Sequence, residues 1–164
     1  MGYEGSWSGM RKYLEKEMLA KSLKDRVRYN CTTYKGMDGC RIFEVCIDNG
    51  YKKQFSWDTL ATDLHKKGYE KQDITWDMLA DYIENNSPEI RDAHICREFC
   101  DALASYRKRD IKFSLQSDNP IERMFAILDR RVGKRTLEKL KEVYDEQPDW
   151  LKPFYTLRFE AENL

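Results

Sequence analysis

This sequence predicts an α+β fold: a three-stranded antiparallel meander packed with helices, followed by a mostly helical C-terminal half. Three observations carry that expectation. Residues 25–34 and 41–48 alternate apolar and polar side chains, the period of a strand with one buried face. Asn49-Gly50 follows directly, and both residues tolerate the positive φ of a tight hairpin turn. From Ser56 onward the apolar residues recur at three- and four-residue spacing instead.

The elements follow in order. Met10, Tyr13, Leu14, Met18 and Leu19 place a helix over residues 9–23, with Trp7 packed beneath it. Val27, Tyr29, Cys31 and Thr33 share one face of the first strand, and Phe43, Val45 and Ile47 share one face of the second. Residues 35–39 form the connecting loop, and residues 51–55 the third strand. Ser56 and Thr75 are helix N-caps, each followed by Trp, Asp and an apolar stripe. Gly68 ends the first of these helices. Ser87-Pro88 starts a helix that runs to about residue 107. Residues 111–115 alternate, as in a fourth strand or an extended connector. Ile121, Met124, Phe125, Leu128 and Val132 form the next helical stripe, ended by a left-handed Gly133, and Leu137, Leu140, Val143 and Tyr144 form another. Tyr155, Leu157 and Phe159 alternate with polar residues and predict a short closing strand.

A chain of 164 residues suits a single domain over 1–164, with an N-terminal helix plus sheet at about 9–56 and a helical part at about 57–164. The 29 Lys+Arg balance 29 Asp+Glu, which argues against a protein that coats DNA non-specifically. The charges are segregated, however. Residues 57–101 carry five cations and eleven anions, whereas residues 121–141 carry seven cations and three anions. No apolar run spans a membrane, and an odd set of five cysteines without a secretion signal points to the cytoplasm.

The cations gather most tightly at Arg130, Arg131, Lys134 and Arg135, around Gly133. Guanidinium and ammonium groups beside the free N–H groups of a starting helix suit an anion. The competing reading is structural, with the arginines offsetting a helix dipole or pairing with Asp129. The expected function is a non-enzymatic binding module whose anionic partner is a phosphate, a nucleic acid or an acidic protein surface. The alternatives are an enzyme of unknown reaction, using His65 or His94 beside a carboxylate, and a regulatory or immunity-type protein. The last would dock a basic partner through the acidic middle of the chain. His94, Cys96 and Cys100 lack the spacing of a structural zinc site, so no metal, cofactor or catalytic residue is expected.

Residues 117–121, Ser-Asp-Asn-Pro-Ile, together with residues 126–135, Ala-Ile-Leu-Asp-Arg-Arg-Val-Gly-Lys-Arg, resemble the C-terminal signature of a small family of uncharacterised bacterial proteins. Residues 11–34 are loosely similar to it as well. The resemblance implies a bacterial, cytoplasmic protein and carries no activity with it.

Overall fold

The computed structural model describes residues 5–33, 41–48 and 50–164. The first helix, α1 (Trp7–Lys12), is capped by Ser6, whose Oγ accepts from Gly9 N. It widens into a π turn over Tyr13–Met18 and stops short of the predicted residue 23. The reason is competition for the backbone. Ala20 N donates to Leu128 O at 2.9 Å, and Arg130 N donates to Met18 O at 2.8 Å. These bonds pull Leu19 and Ala20 into extended conformation against the distant corner at Asp129.

Strands β1 (Val27–Thr33), β2 (Arg41–Ile47) and β3 (Tyr51–Phe55) form an antiparallel sheet in the order β1-β2-β3. Val27 pairs with Ile47 and Phe43 with Phe55. Val27, Tyr29, Phe43, Val45, Ile47 and Phe55 are buried, as the alternation requires. Three residues, 48–50, join β2 to β3, and Asp48 takes the positive φ (46°). The predicted two-residue turn is therefore one residue longer. Asn49, the 35–39 loop and Cys40 lie outside the described residues.

Helices α2 (Trp57–Lys66) and α3 (Trp76–Asn85) start at their predicted caps, with Ser56 Oγ accepting from Thr59 N and Thr75 Oγ1 from Met78 N. Gly68 turns the chain at φ 107°. Leu60, Leu64, Leu79, Ala93 and Ile95 form a small apolar cluster beneath this pair.

Helix α4 (Cys96–Lys108) begins eight residues later than Ser87-Pro88 suggests. The intervening segment is held open by Arg91, whose side chain is buried and paired with Glu98. Its Nε donates to Asn86 O at 2.7 Å and its Nη1 to Ala93 O at 2.9 Å. His94 then bridges to Phe55, extending the sheet edge, and Glu98 caps the helix through Ile95 N at 2.8 Å.

Residues 111–115 are a short helix, α5 (Ile111–Leu115), not a strand. Asp110 Oδ1 accepts from Lys112 N, and Ser114 Oγ donates to buried Glu122 at 3.0 Å. Helix α6 (Pro120–Ile127) is capped by Asn119, and α7 (Lys134–Leu140) follows the corner. Gly133 is not left-handed. It is the extended N-cap of α7, with φ −85° and ψ 166°. The closing segment is α8 (Lys152–Ala161), again not a strand. Phe154, Tyr155, Leu157, Arg158 and Phe159 are all buried, so a helix buried nearly all round imitated strand alternation. Pro153 causes no break because the first turn of a helix needs no N–H there.

The main core lies between the sheet and α4, α6 and α8. Phe99 is fully buried at its centre. It stacks on Phe43 with ring centroids 4.4 Å apart and meets Phe55 at 5.0 Å and Phe125 at 5.2 Å. Trp7 joins this group through Phe43 at 5.2 Å.

Candidate functional site

Asp129 organises the corner between α6 and α7. Its carboxylate is buried and accepts from Arg131 N at 2.7 Å, Arg131 Nε at 3.0 Å and Arg131 Nη2 at 2.7 Å. The Tyr106 hydroxyl donates to the same carboxylate. Hydrogen bonding to Asp129 raises the Arg131 pKa, and burial followed by the Asp129 charge raises the Tyr106 pKa. A short sequence, Asp-Arg-Arg, thus folds back on itself around one buried anion.

The four predicted anion-facing cations divide accordingly. Arg131 is tied to Asp129. Arg130, Lys134 and Arg135 are exposed and make no ion pair among the described residues. Arg130 and Lys134 line a cleft of 530 Å³ beside Gly133, along with Arg131, Lys21 and Arg158. Glu162 is the carboxylate in its wall. Arg135 is not part of that cleft.

Sequence reasoning missed Arg158 and Lys21. Arg158 is 2% exposed, and its Nη2 donates to Val132 O at 2.8 Å and lies 3.5 Å from Glu162. Its Nε and Nη1 have no hydrogen-bond partner. Burial lowers its pKa, with Glu162 and Asp129 opposing. The sequence did carry one signal, the i, i+4 spacing of Arg158 and Glu162, but reading the segment as a strand hid it. Lys21 arrives from far along the chain, on the turn held to the corner by Ala20.

A second cleft of 650 Å³ lies on the other flank of Val132. Its cations Lys112, Arg123, Arg131 and Lys139 face Glu89, Asp118 and Glu146. Arg123 is already used by Ser117 O at 2.6 Å and Gln147 Oε1 at 3.0 Å. This cleft is of mixed charge.

His65 Nδ1 meets Tyr69 O at 2.8 Å on the surface. His94 is fully buried, with Nε2 against Pro88 O at 2.9 Å. Neither imidazole hydrogen-bonds a carboxylate among the described residues. Cys96 and Cys100 pack against the main core. Burial, then the neighbouring Cys96, pushes the Cys100 thiol up to about 12, which suppresses its reactivity.

Burial, and after it the nearby Lys53 charge, drops His94 to about 3, against the pull of the Pro88 carbonyl. The folded-state value lies below the unfolded one, so the unfolded chain takes the proton first. The contribution is intact above pH 6.5 and is lost as pH falls from there toward 3. Unfolding free energy should be about 2 kcal/mol smaller at pH 5 than at pH 7. Urea midpoints across this range, compared with His94→Gln, provide the check. Parallel profiles for the two proteins would exclude His94 as the origin.

No helix among the described residues is long and apolar enough to cross a membrane. No curated protein and no solved structure matches the chain. A family model does match, from residue 6 to residue 159, and so takes in the sheet, the corner and nearly all of α8. By that span the chain belongs to the SF0329 protein family.

Proposed function

We propose that this protein is a non-enzymatic binding module that takes a phosphate-bearing anion in the cleft between the Asp129 corner and α8. The observation that carries the proposal is Arg158: a buried guanidinium with two unpartnered N–H groups, lining a cleft where five cations meet one carboxylate. Buried polar groups normally find partners, and the ion pair with Glu162 leaves Arg158 Nε and Nη1 without one. An anion seated among Lys21, Arg130 and Lys134 would supply one, and guanidinium geometry suits phosphate. The resemblance of residues 117–121 and 126–135 to a bacterial signature, and the free thiols, support a bacterial cytoplasmic setting.

Calorimetric titration with inorganic phosphate, pyrophosphate and a short single-stranded oligonucleotide, at low and at physiological salt, tests this. Binding should weaken with salt. Lys134→Glu should weaken it roughly ten- to hundredfold, the range for losing one charged hydrogen bond. Arg135→Glu, outside the cleft, should leave it nearly unchanged. No binding of any of these probes, or equal loss in both variants, would overturn the assignment.

A second reading is favoured by one observation. Asp58, Glu70, Asp73, Asp77 and Asp81 are exposed on α2, α3 and their connection, beside Trp76 at 57% and Tyr69 at 49% exposure. Exposed acidic and aromatic groups of this kind suit a basic protein partner, as a regulatory or immunity-type role would require.

A further inference from the structure

Lys53 occupies an inward position of β3, on the same face as Tyr51 and Phe55. β3 is an edge strand, and an inward lysine there guards against pairing with another chain. That role requires neither deep burial nor a cleft. Lys53 is 6% exposed and lines a cleft of 360 Å³ between β3, α2 and Trp150. Its Nζ donates to Asp92 O and lies 4.3 Å from the centre of the Trp150 ring. It makes no ion pair among the described residues.

Two neighbouring groups are buried without partners. Trp150, in the wall of the same cleft, has an unsatisfied Nε1–H. His94 meets Trp150 with ring centroids 5.3 Å apart. Its Nε2 faces a carbonyl oxygen and so carries the proton, which leaves Nδ1 a bare acceptor with no donor. Addition to a carbonyl group calls for an amine nucleophile and a donor for the developing alkoxide, and Lys53 and the Trp150 Nε1–H are those parts in this cleft.

We propose that Lys53 is the nucleophile of a carbonyl-binding site in this cleft, where it forms a reversible imine with a small aldehyde. The Nζ lone pair attacks the carbonyl carbon, and the C=O π pair moves onto oxygen. Nitrogen loses one proton and oxygen gains one, giving the carbinolamine. The nitrogen lone pair then expels the hydroxyl group, which leaves as water with a second proton. Loss of the last N–H proton gives the imine. One amine and one aldehyde yield one imine and one water, with no change of oxidation state. Burial supports this chemistry by pulling the amine down to about 7, with Asp92, Glu98 and Asp63 opposing and Arg91 assisting. Much of the Lys53 amine is then free base at neutral pH, whereas an ordinary exposed lysine is almost wholly protonated.

The test uses propionaldehyde and cyanoborohydride on the full chain at pH 7.5, with adducts located by peptide mass mapping. Lys52, exposed on the same strand, is the internal control. Adduct should accumulate about tenfold faster at Lys53 than at Lys52. The Lys53 rate should level off above pH 7. Lys53→Arg should abolish the fast adduct and Lys52→Arg should spare it. Equal or slower labelling at Lys53 in the unmodified protein would overturn the proposal, whether or not Lys53→Arg folds. The anion cleft is separate, so Lys134→Glu should leave the Lys53 adduct unchanged.

Discussion

Phe99→Ala is expected to lower unfolding free energy by about 4 kcal/mol, within the range for deleting a buried aromatic side chain. Phe99 is fully buried and touches rings from three elements: Phe43 of β2, Phe55 of β3 and Phe125 of α6. Removing it opens a cavity where sheet and helices meet, and the flanking rings cannot all close inward at once. Urea unfolding followed by tryptophan fluorescence measures the loss. A change below about 1 kcal/mol would mean that Phe99 is not the centre of the core.

Asp129→Ala should cost about 3 kcal/mol, near the lower end for breaking a buried pair because Arg131 can turn to water. The Arg131 side chain is 39% exposed, whereas the Tyr106 hydroxyl is buried and would lose its acceptor. The Arg131 backbone N–H loses its acceptor too. Asp129→Asn, which keeps one carbonyl oxygen, should recover part of the loss. The same urea series checks both variants. If alanine and asparagine are equally mild, the corner does not depend on this carboxylate. Anion binding should fall in Asp129→Ala as well, through misplacement of Arg130 and Lys134 rather than through lost charge.

Much of the fold was legible because local signals agreed with tertiary demand. Ser56 and Thr75 cap the helices that the Trp-Asp pattern announces, and the alternation in β1 and β2 matches the buried faces. Legibility failed where distant groups overrode the local pattern. Nothing near Ala20 shows that its N–H will go to Leu128, so the first helix seemed longer than it is. Ser87-Pro88 is a sound start signal, but the Arg91 and Glu98 pair holds the chain open behind it. Alternation at Tyr155, Leu157 and Phe159 came from a helix buried on nearly every side.

The candidate site was half legible for the same reason. Arg130 and Lys134 stand out as cations in sequence. Arg158 does not, because its importance comes from burial beside Val132. Arg135 looked equivalent to Lys134 yet falls outside the cleft. Lys53 reads as an ordinary strand lysine until the sheet edge is seen to be covered by Trp150 and the His94 segment.

The tie between Ser22 Oγ and Glu162 Oε1, at 2.6 Å, spans 140 positions of the chain. The cleft beside it draws on Lys21, on Arg130 and Lys134, and on Arg158. The walls of this cleft are therefore complete only once α8 has folded against the early basic turn. Since synthesis proceeds at about 5–20 residues per second, the early basic segment waits several seconds for its last wall.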